Sequence, residues 1–172
     1  MPSGLFRLVL TSCLLLWASA SLAERGPARA HSAPRQSGAS EAARDLAYEY
    51  LRLWSAPNQT ALAAAPSFYG HTVRFHGRTR TLGSVLAEKR RFAARWPERA
   101  YRYRPETTRV ACEAGGSRCT VWSVFDFLAA DPRQGRRSMG IGEHELVISF
   151  SGRKPVVVAE NSRVLHRGPP AS

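Results

Sequence analysis

The run Glu143-His144-Glu145-Leu146-Val147-Ile148-Ser149-Phe150 decides how the chain is read. In an extended strand successive side chains point to opposite faces, so His144, Leu146, Ile148 and Phe150 share one face. Three of these four are apolar, so this face belongs against a core and carries His144 inward with it. Glu143 and Glu145 then look outward, as exposed salt-bridge partners in a chain full of arginine. Ser151-Gly152-Arg153 turns the chain into a second extended run, Pro155 to Leu165. Working back towards the N-terminus, Met139 to Phe150 is preceded by Cys119 to Leu128. That run pairs with Thr107 to Cys112 across a loop of turn formers, Glu113-Ala114-Gly115-Gly116-Ser117-Arg118.

Ahead of these strands the spacing becomes helical. Ala43, Leu46, Ala47, Tyr50, Leu51 and Trp54 fall on one side of a helix, with Glu41, Asp45, Glu49 and Arg52 on the other. Ser40 is its expected N-cap, and Pro57-Asn58 ends it. A short helix at Thr60 to Ala65 stops at Pro66, and a strand from Thr72 to His76 turns at Gly77. A third helix runs from about Leu82 to the stop at Pro97, with Leu82, Val85, Phe92, Ala93 and Trp96 on one face. Arg90, Arg91 and Arg95 point away from that face, and Glu88 is placed to pair with Arg91. Tyr101 and Tyr103 begin a strand that Pro105 interrupts. Helices followed by a meander of long antiparallel strands make an α+β pattern.

The N-terminus has Arg7, an uncharged apolar run from Leu8 to Trp17 and the small-residue ending Ser21-Leu22-Ala23, the three parts of a secretory signal. Cleavage is expected after Ala23, with Ala20 as a neighbouring alternative. Leu10-Thr11-Ser12-Cys13 has the outline of a lipoprotein site, but Cys13 lies inside the apolar run rather than at its end. The run is too short for a stable membrane span. Residues 24–40, with Gly26, Pro27, Pro34 and Gly38, read as a flexible leader, residues 41–167 as one domain and residues 168–172 as a disordered tail. The expected location is periplasmic or secreted.

Removing residues 1–23 leaves 24 basic against 13 acidic residues, a net charge of +11. Of the 25 basic residues in the whole chain only Lys89 and Lys154 are lysines, and the arginines are scattered, which favours a compositional bias over a nucleic-acid surface. No nucleic-acid partner is therefore expected. Cleavage also leaves two cysteines, Cys112 and Cys119, and an even count in an exported chain favours a disulfide. A second cysteine pair or a spaced histidine pair is missing, so no metal is expected.

Four stretches bear a resemblance. Phe68-Tyr69-Gly70-His71-Thr72-Val73-Arg74-Phe75-His76-Gly77 is similar to the passage from second helix to first strand in the nuclear transport factor 2-like superfamily. Val85 to Phe92, Arg95 to Tyr101 and Ala159 to Leu165 resemble the third helix, its exit and the last strand of exported bacterial members. The resemblance implies a cone in which N-terminal helices pack into a strongly bent antiparallel sheet. It implies a pocket and a homodimer through the sheet, but no particular reaction, because this fold hosts isomerases, dehydratases, cyclases and many non-enzymatic modules. No catalytic trio of tyrosine, neutral acid and carboxylate base can be matched residue by residue.

The candidate pocket comprises Lys89, His144, Tyr69, Asp126, Trp54, Trp96 and Trp122. Lys89 is anomalous because it sits in the middle of an apolar helix face, where a lysine snorkels, pairs with a buried carboxylate or takes part in chemistry. Asp126 and Glu160 are its candidate partners, and neither strand's facing is fixed by the sequence. Tyr69 is expected at the mouth, and the tryptophans, with Tyr50, as core and pocket wall. For His144 a hydrogen-bonded core histidine is the plainer reading and a catalytic or ligand role the sharper one. The function expected is a non-enzymatic binding or accessory domain of the cell envelope, with a small apolar ligand or an envelope protein as partner and no cofactor. The alternatives are a cofactor-independent isomerase, dehydratase or cyclase, and an electrostatic adaptor working through Arg90, Arg91 and Arg95.

Overall fold

The computed structural model describes residues 33–168. The signal-like segment, Cys13 and most of the expected leader and tail lie outside them. The described chain runs α1 (Ala33–Ser55), α2 (Asn58–Ala64), β1 (Tyr69–Phe75), β2 (Arg78–Thr81), α3 (Leu82–Arg95), β3 (Glu98–Tyr103), β4 (Arg109–Cys112), β5 (Arg118–Asp131), β6 (Arg136–Ser149) and β7 (Val156–Arg167). Helix α1 starts at Ala33, so part of the expected leader is helical and Ser40 is an interior residue rather than a cap. Gly168, assigned to the tail, still donates its N–H to the Met139 carbonyl at 3.0 Å.

The sheet order is β2-β1-β7-β6-β5-β3, with β4 pairing on β5 beside β3. It is not wholly antiparallel: β1 runs parallel to β7, joining the first strand to the last, while the other pairs are antiparallel. Strand β2 was not expected from the sequence, because Arg78-Thr79-Arg80-Thr81 contains no apolar residue to mark it. It is an edge strand held only by β1, which is where such a sequence is tolerated.

Strands β5 and β6 have 14 residues each and pair along their whole length, forming the spine of the sheet. Their alternation follows the period-2 rule, with Gly140, Gly142, His144, Leu146 and Ile148 buried on one face of β6. The two glycines permit the bend near the β6 start. A Cβ on Gly140, whose φ is +157°, would lie 2.0 Å from the His166 carbonyl oxygen. A Cβ on Gly142 would lie 2.7 Å from the Phe125 ring. The β6–β7 register shifts between Ile141 and Gly142, so the strand kinks where backbone and an aromatic ring close in.

Helix α1 lies across the concave face against β3, β4 and β5, and α3 lies against β1. The core they enclose includes Ala47, Tyr50, Leu51, Trp54, Val73, Phe75, Val85, Val121, Leu146, Ile148 and Val157. Thr81 caps α3, its Oγ1 accepting from the Ser84 N–H at 3.3 Å. The buried Arg99, which nothing in the sequence singled out, ties the far ends of the helices together. Its guanidinium donates to the Trp54 carbonyl at 3.1 Å, to Asn58 Oδ1 at 2.6 Å and to the Trp96 carbonyl. It thus serves carbonyls left open where α1 and α3 end.

Cys112 and Cys119 face each other in the β4–β5 register and are joined by a disulfide. The bond closes the tip of the β4–β5 hairpin. On the chain-entropy relation so short a loop contributes about 2 kcal/mol. Replacing both cysteines by serine is therefore expected to lower the unfolding free energy by about 2 kcal/mol without loss of the fold, as measured by urea denaturation. An unchanged midpoint would mean that the reduced hairpin is already ordered in the unfolded chain.

Candidate functional site

The inward residues of four neighbouring strands form rows across the concave face. Phe75, Glu160, Leu146 and Val121 lie in register on β1, β7, β6 and β5. Two residues further along, Ser162, His144 and Ser123 form the next row. Lys89 descends onto these rows from α3 and Tyr50 from α1. The result is a recess of about 210 Å³ whose walls include Tyr50, Trp54, Lys89, Phe125, His144 and Glu160.

Lys89 Nζ stands 2.5 Å from Glu160 Oε1 and donates to Tyr50 Oη at 2.8 Å. The other carboxylate oxygen accepts from Tyr69 Oη at 2.6 Å, and the two tyrosine hydroxyls are 3.0 Å apart. The ammonium also sits 4.9 Å from the Trp54 ring centroid and 5.2 Å from that of Phe75, within the range of cation–π attraction. Burial by itself would raise the Glu160 pKa, and it is the largest single influence. The Lys89 charge and the hydrogen bonds from Lys89, Tyr69 and Tyr50 together outweigh it, holding the carboxyl below its ordinary range. Burial, reinforced by the Glu160 charge, raises the Tyr50 and Tyr69 phenols well above theirs. Glu160 is thus an ionised acceptor with both oxygens engaged, and the tyrosines are protonated donors.

His144 is only 3% exposed and lies among Tyr50, Tyr103 and Phe125, with ring centroids 5.6–6.2 Å away. Burial lowers its pKa to about 4; Glu160 opposes that shift and Lys89 adds to it. The imidazole is therefore neutral near pH 7. Its Nε2 is 2.5 Å from Ser123 Oγ, and its Nδ1 is buried without a hydrogen-bond partner among the described residues.

Of the residues singled out from the sequence, Lys89, His144 and Trp54 line this recess together. Tyr69 is not at a mouth; it is 4% exposed and supports Glu160 from behind. Asp126 does not join them. Its neighbour Phe125 faces inward, so Asp126 is on the other face, where Arg102 donates to it at 2.8 Å and Arg104 at 2.5 Å. The hydrogen bond from Arg104 is the main cause of its depressed pKa. Trp122 follows the same alternation outward and is 40% exposed beside Arg109 and Glu145. Trp96 lies outside the recess, with the guanidinium carbons of Arg95 and Arg136 at 5.8 Å and 5.5 Å from its ring centroid. Asp131 closes β5 as a buried partner of Arg136 at 2.7 Å. The outward placement of Asp45 and Glu143 follows the expectation, and Glu143 pairs with Arg163 at 2.5 Å.

Two larger hollows flank the recess. One of about 870 Å³ adjoins it, separated only by Phe92, Tyr101, Phe125 and Ser162, which wall both. Phe92 is 39% exposed there rather than packed inside, because α3 ends over this opening. The other, of about 920 Å³, lies mainly along the outer sheet face around Trp122, Glu143 and Arg163. Among the described residues no cluster of histidine, cysteine or carboxylate side chains is arranged to hold a metal ion, and no helix is long and apolar enough to cross a membrane.

Comparison with family models and with curated proteins gives no match. Solved structures do match. A Caulobacter vibrioides protein described as uncharacterised, with a cystatin-like fold, aligns at a TM-score of 0.59 and 11% identity over 75% of this chain and 91% of its own. A proposed scytalone dehydratase from Novosphingobium aromaticivorans aligns at 0.65 and 6% over 79% and 90%. A proposed dehydratase of the NTF2-like (nuclear transport factor 2-like) family from Streptomyces avermitilis aligns at 0.63 and 9% over 76% and 99%. At these identities the likeness is one of fold: the chain has the α+β fold of nuclear transport factor 2-like proteins, with helices packed against a curled, open, mixed sheet.

Proposed function

We propose that the chain is an exported small-molecule-binding module of the cell envelope that holds its ligand without transforming it. The observation that carries this reading is the engagement of Glu160. The buried carboxylate of the recess has one oxygen on Lys89 and the other on Tyr69, so it can act as a base only by giving up a buried ion pair. Glu88, the other carboxylate on the wall, is partly exposed and lies 3.9 Å from Arg80 and 4.0 Å from Arg91. A general base needs the opposite arrangement, a free acceptor poised near the working pH. Aromatic walls with a few fixed polar groups are how proteins hold small molecules. The hairpin disulfide supports export, since such bonds persist in oxidising compartments. The homodimer implied by resemblance would use the outer sheet face around Trp122.

Native mass spectrometry of the chain recovered from the envelope of an expressing bacterium tests this reading. A bound small molecule, released unchanged on denaturation, is the expected result, and the same spectrum reads the processed N-terminus, the disulfide and the dimer. A chain recovered with an unprocessed N-terminus from the cytoplasm would contradict export.

One observation favours a second reading, a cofactor-independent isomerase, dehydratase or cyclase. His144 is neutral and presents a buried Nδ1 with no partner, the form an imidazole base needs. Two of the structural neighbours are described as proposed dehydratases. Incubating the recovered molecule with the protein in D₂O separates the readings. Loss of water, or deuterium gained at carbon only with the wild type and not with His144→Gln, would establish chemistry. An unchanged molecule supports binding alone.

A further inference from the structure

The hollow of about 870 Å³ has a charge pattern that the rest of the molecule does not require. Arg95, Arg137, Arg163 and Arg167 line it, and no aspartate or glutamate does. Two of the four are engaged: Arg163 donates to Glu143, and Arg167 to Ser138 Oγ at 2.8 Å. The other two have no carboxylate partner among the described residues. The Arg95 guanidinium lies over the Trp96 ring, and Arg137 makes no ion pair. Arg102 and Arg104, by contrast, are held on Asp126, and Arg136 on Asp131. The remaining lining is apolar, chiefly Phe92, Tyr101, Phe125, Phe127, Met139 and Val164.

Size points the same way. The inner recess, at about 210 Å³, is smaller than the roughly 300–1,000 Å³ of ordinary ligand pockets, whereas the adjoining hollow is within that range. The body of a ligand therefore belongs in the hollow, against the aromatic septum formed by Phe92, Tyr101 and Phe125. Its polar end meets two guanidinium groups that have no counter-charge. Arginine presents a planar fork of donors suited to carboxylate, sulfonate or phosphate oxygens.

We infer that the ligand is an amphipathic organic anion, an aromatic or aliphatic body bearing one acidic group that Arg95 and Arg137 receive at the opening between α3 and β6. This rests on the small-molecule reading above and names the ligand class. It differs from the electrostatic adaptor expected through Arg90, Arg91 and Arg95, because the charge works at an apolar cavity rather than on an exposed helix face.

Two dyes with the same aromatic skeleton test it. One is 1-anilinonaphthalene-8-sulfonate, which carries a permanent anion; the other is N-phenyl-1-naphthylamine, which does not. Fluorescence titration of the disulfide-bonded chain at low salt should show the sulfonate binding about tenfold more tightly or better, a ratio that falls as salt is raised. In Arg95→Gln/Arg137→Gln the two affinities should converge while that of the neutral dye is unchanged. The charge-matched control Arg44→Gln/Arg153→Gln, on exposed sites away from the hollow, should keep the preference. Near-ultraviolet circular dichroism checks that each variant is folded. Equal affinities in the wild type would overturn the anion inference and leave the binding reading standing. An equal loss of preference in the control would also overturn it, by showing a general charge effect. Failure of both dyes to bind would count against the cavity as a ligand site altogether.

Discussion

Replacing Lys89 by methionine is expected to lower the unfolding free energy by about 3–5 kcal/mol, the usual cost of leaving one member of a buried ion pair alone. Glu160 is 3% exposed, so its charge cannot be rehydrated in place. Tyr69 and Tyr50 would remain as hydrogen-bond donors, but neutral phenols do not replace an ammonium at 2.5 Å. The variant should respond by taking up a proton at Glu160, since burial, no longer outweighed, pushes the carboxyl pKa upward. Adding Glu160→Gln to Lys89→Met should recover at least about half of the loss, because the amide still accepts from Tyr69 and no charge remains to be buried. Urea denaturation of the wild type, both single variants and the double variant completes the cycle. Additive losses would mean that the pair is not coupled and that Glu160 is free for other work.

The second large effect is on acid stability, and its source is His144. The imidazole titrates at about 4 in the folded protein against an ordinary value of 6.5. Between those values the unfolded chain binds a proton that the native state refuses, so stability falls as pH is lowered through this window. A shift of this size corresponds to about 3 kcal/mol, complete near the folded value and absent above pH 6.5. Glu160 acts in a different window. Its pKa is depressed in the fold, so its contribution is present above the ordinary carboxylate range and is lost only as pH falls through the folded value. Unfolding free energies measured at intervals from pH 7 to 4 should therefore show a slope that His144→Gln largely removes. A wild-type profile flat across that range would mean that the imidazole is hydrated or paired in the native state.

The backbone plan was legible because its signals are local and repeated. Alternation in β6 placed His144 inward and Glu143 outward, and the apolar stripe of α3 exposed Lys89 as an intruder. What escaped were features that depend on the partner strand. Asp126 and Glu160 both lie in runs apolar on either side of the strand, so alternation alone cannot assign their faces. Only the pairing of Leu146 with Glu160, and of Arg102 with Asp126, sends one inward to Lys89 and the other outward to arginines. Trp122 misled for a related reason: a large aromatic residue suggests a core, yet parity with Val121 and Ser123 puts it outside. The parallel β1–β7 pair, the polar edge strand β2 and the Arg99 junction all depend on contacts distant in sequence. The N-terminal extension of α1 was obscured by Pro34 and Gly38, residues that lower helix propensity without forbidding a first turn.

Fold likeness to proteins described as proposed dehydratases does not carry their chemistry across, since the same scaffold accepts unrelated sites. The distinction between binding and carboxylate-based catalysis here comes down to the protonation and freedom of one side chain. Carbon-detected NMR of the Glu160 side-chain carboxyl, followed through a pH titration of the folded protein, reads it directly. The ion-pair account predicts a carboxylate that stays ionised from about pH 8 down through the ordinary glutamate range. A titration between about pH 5 and 8 would contradict it, and would describe a carboxylate poised for proton transfer instead.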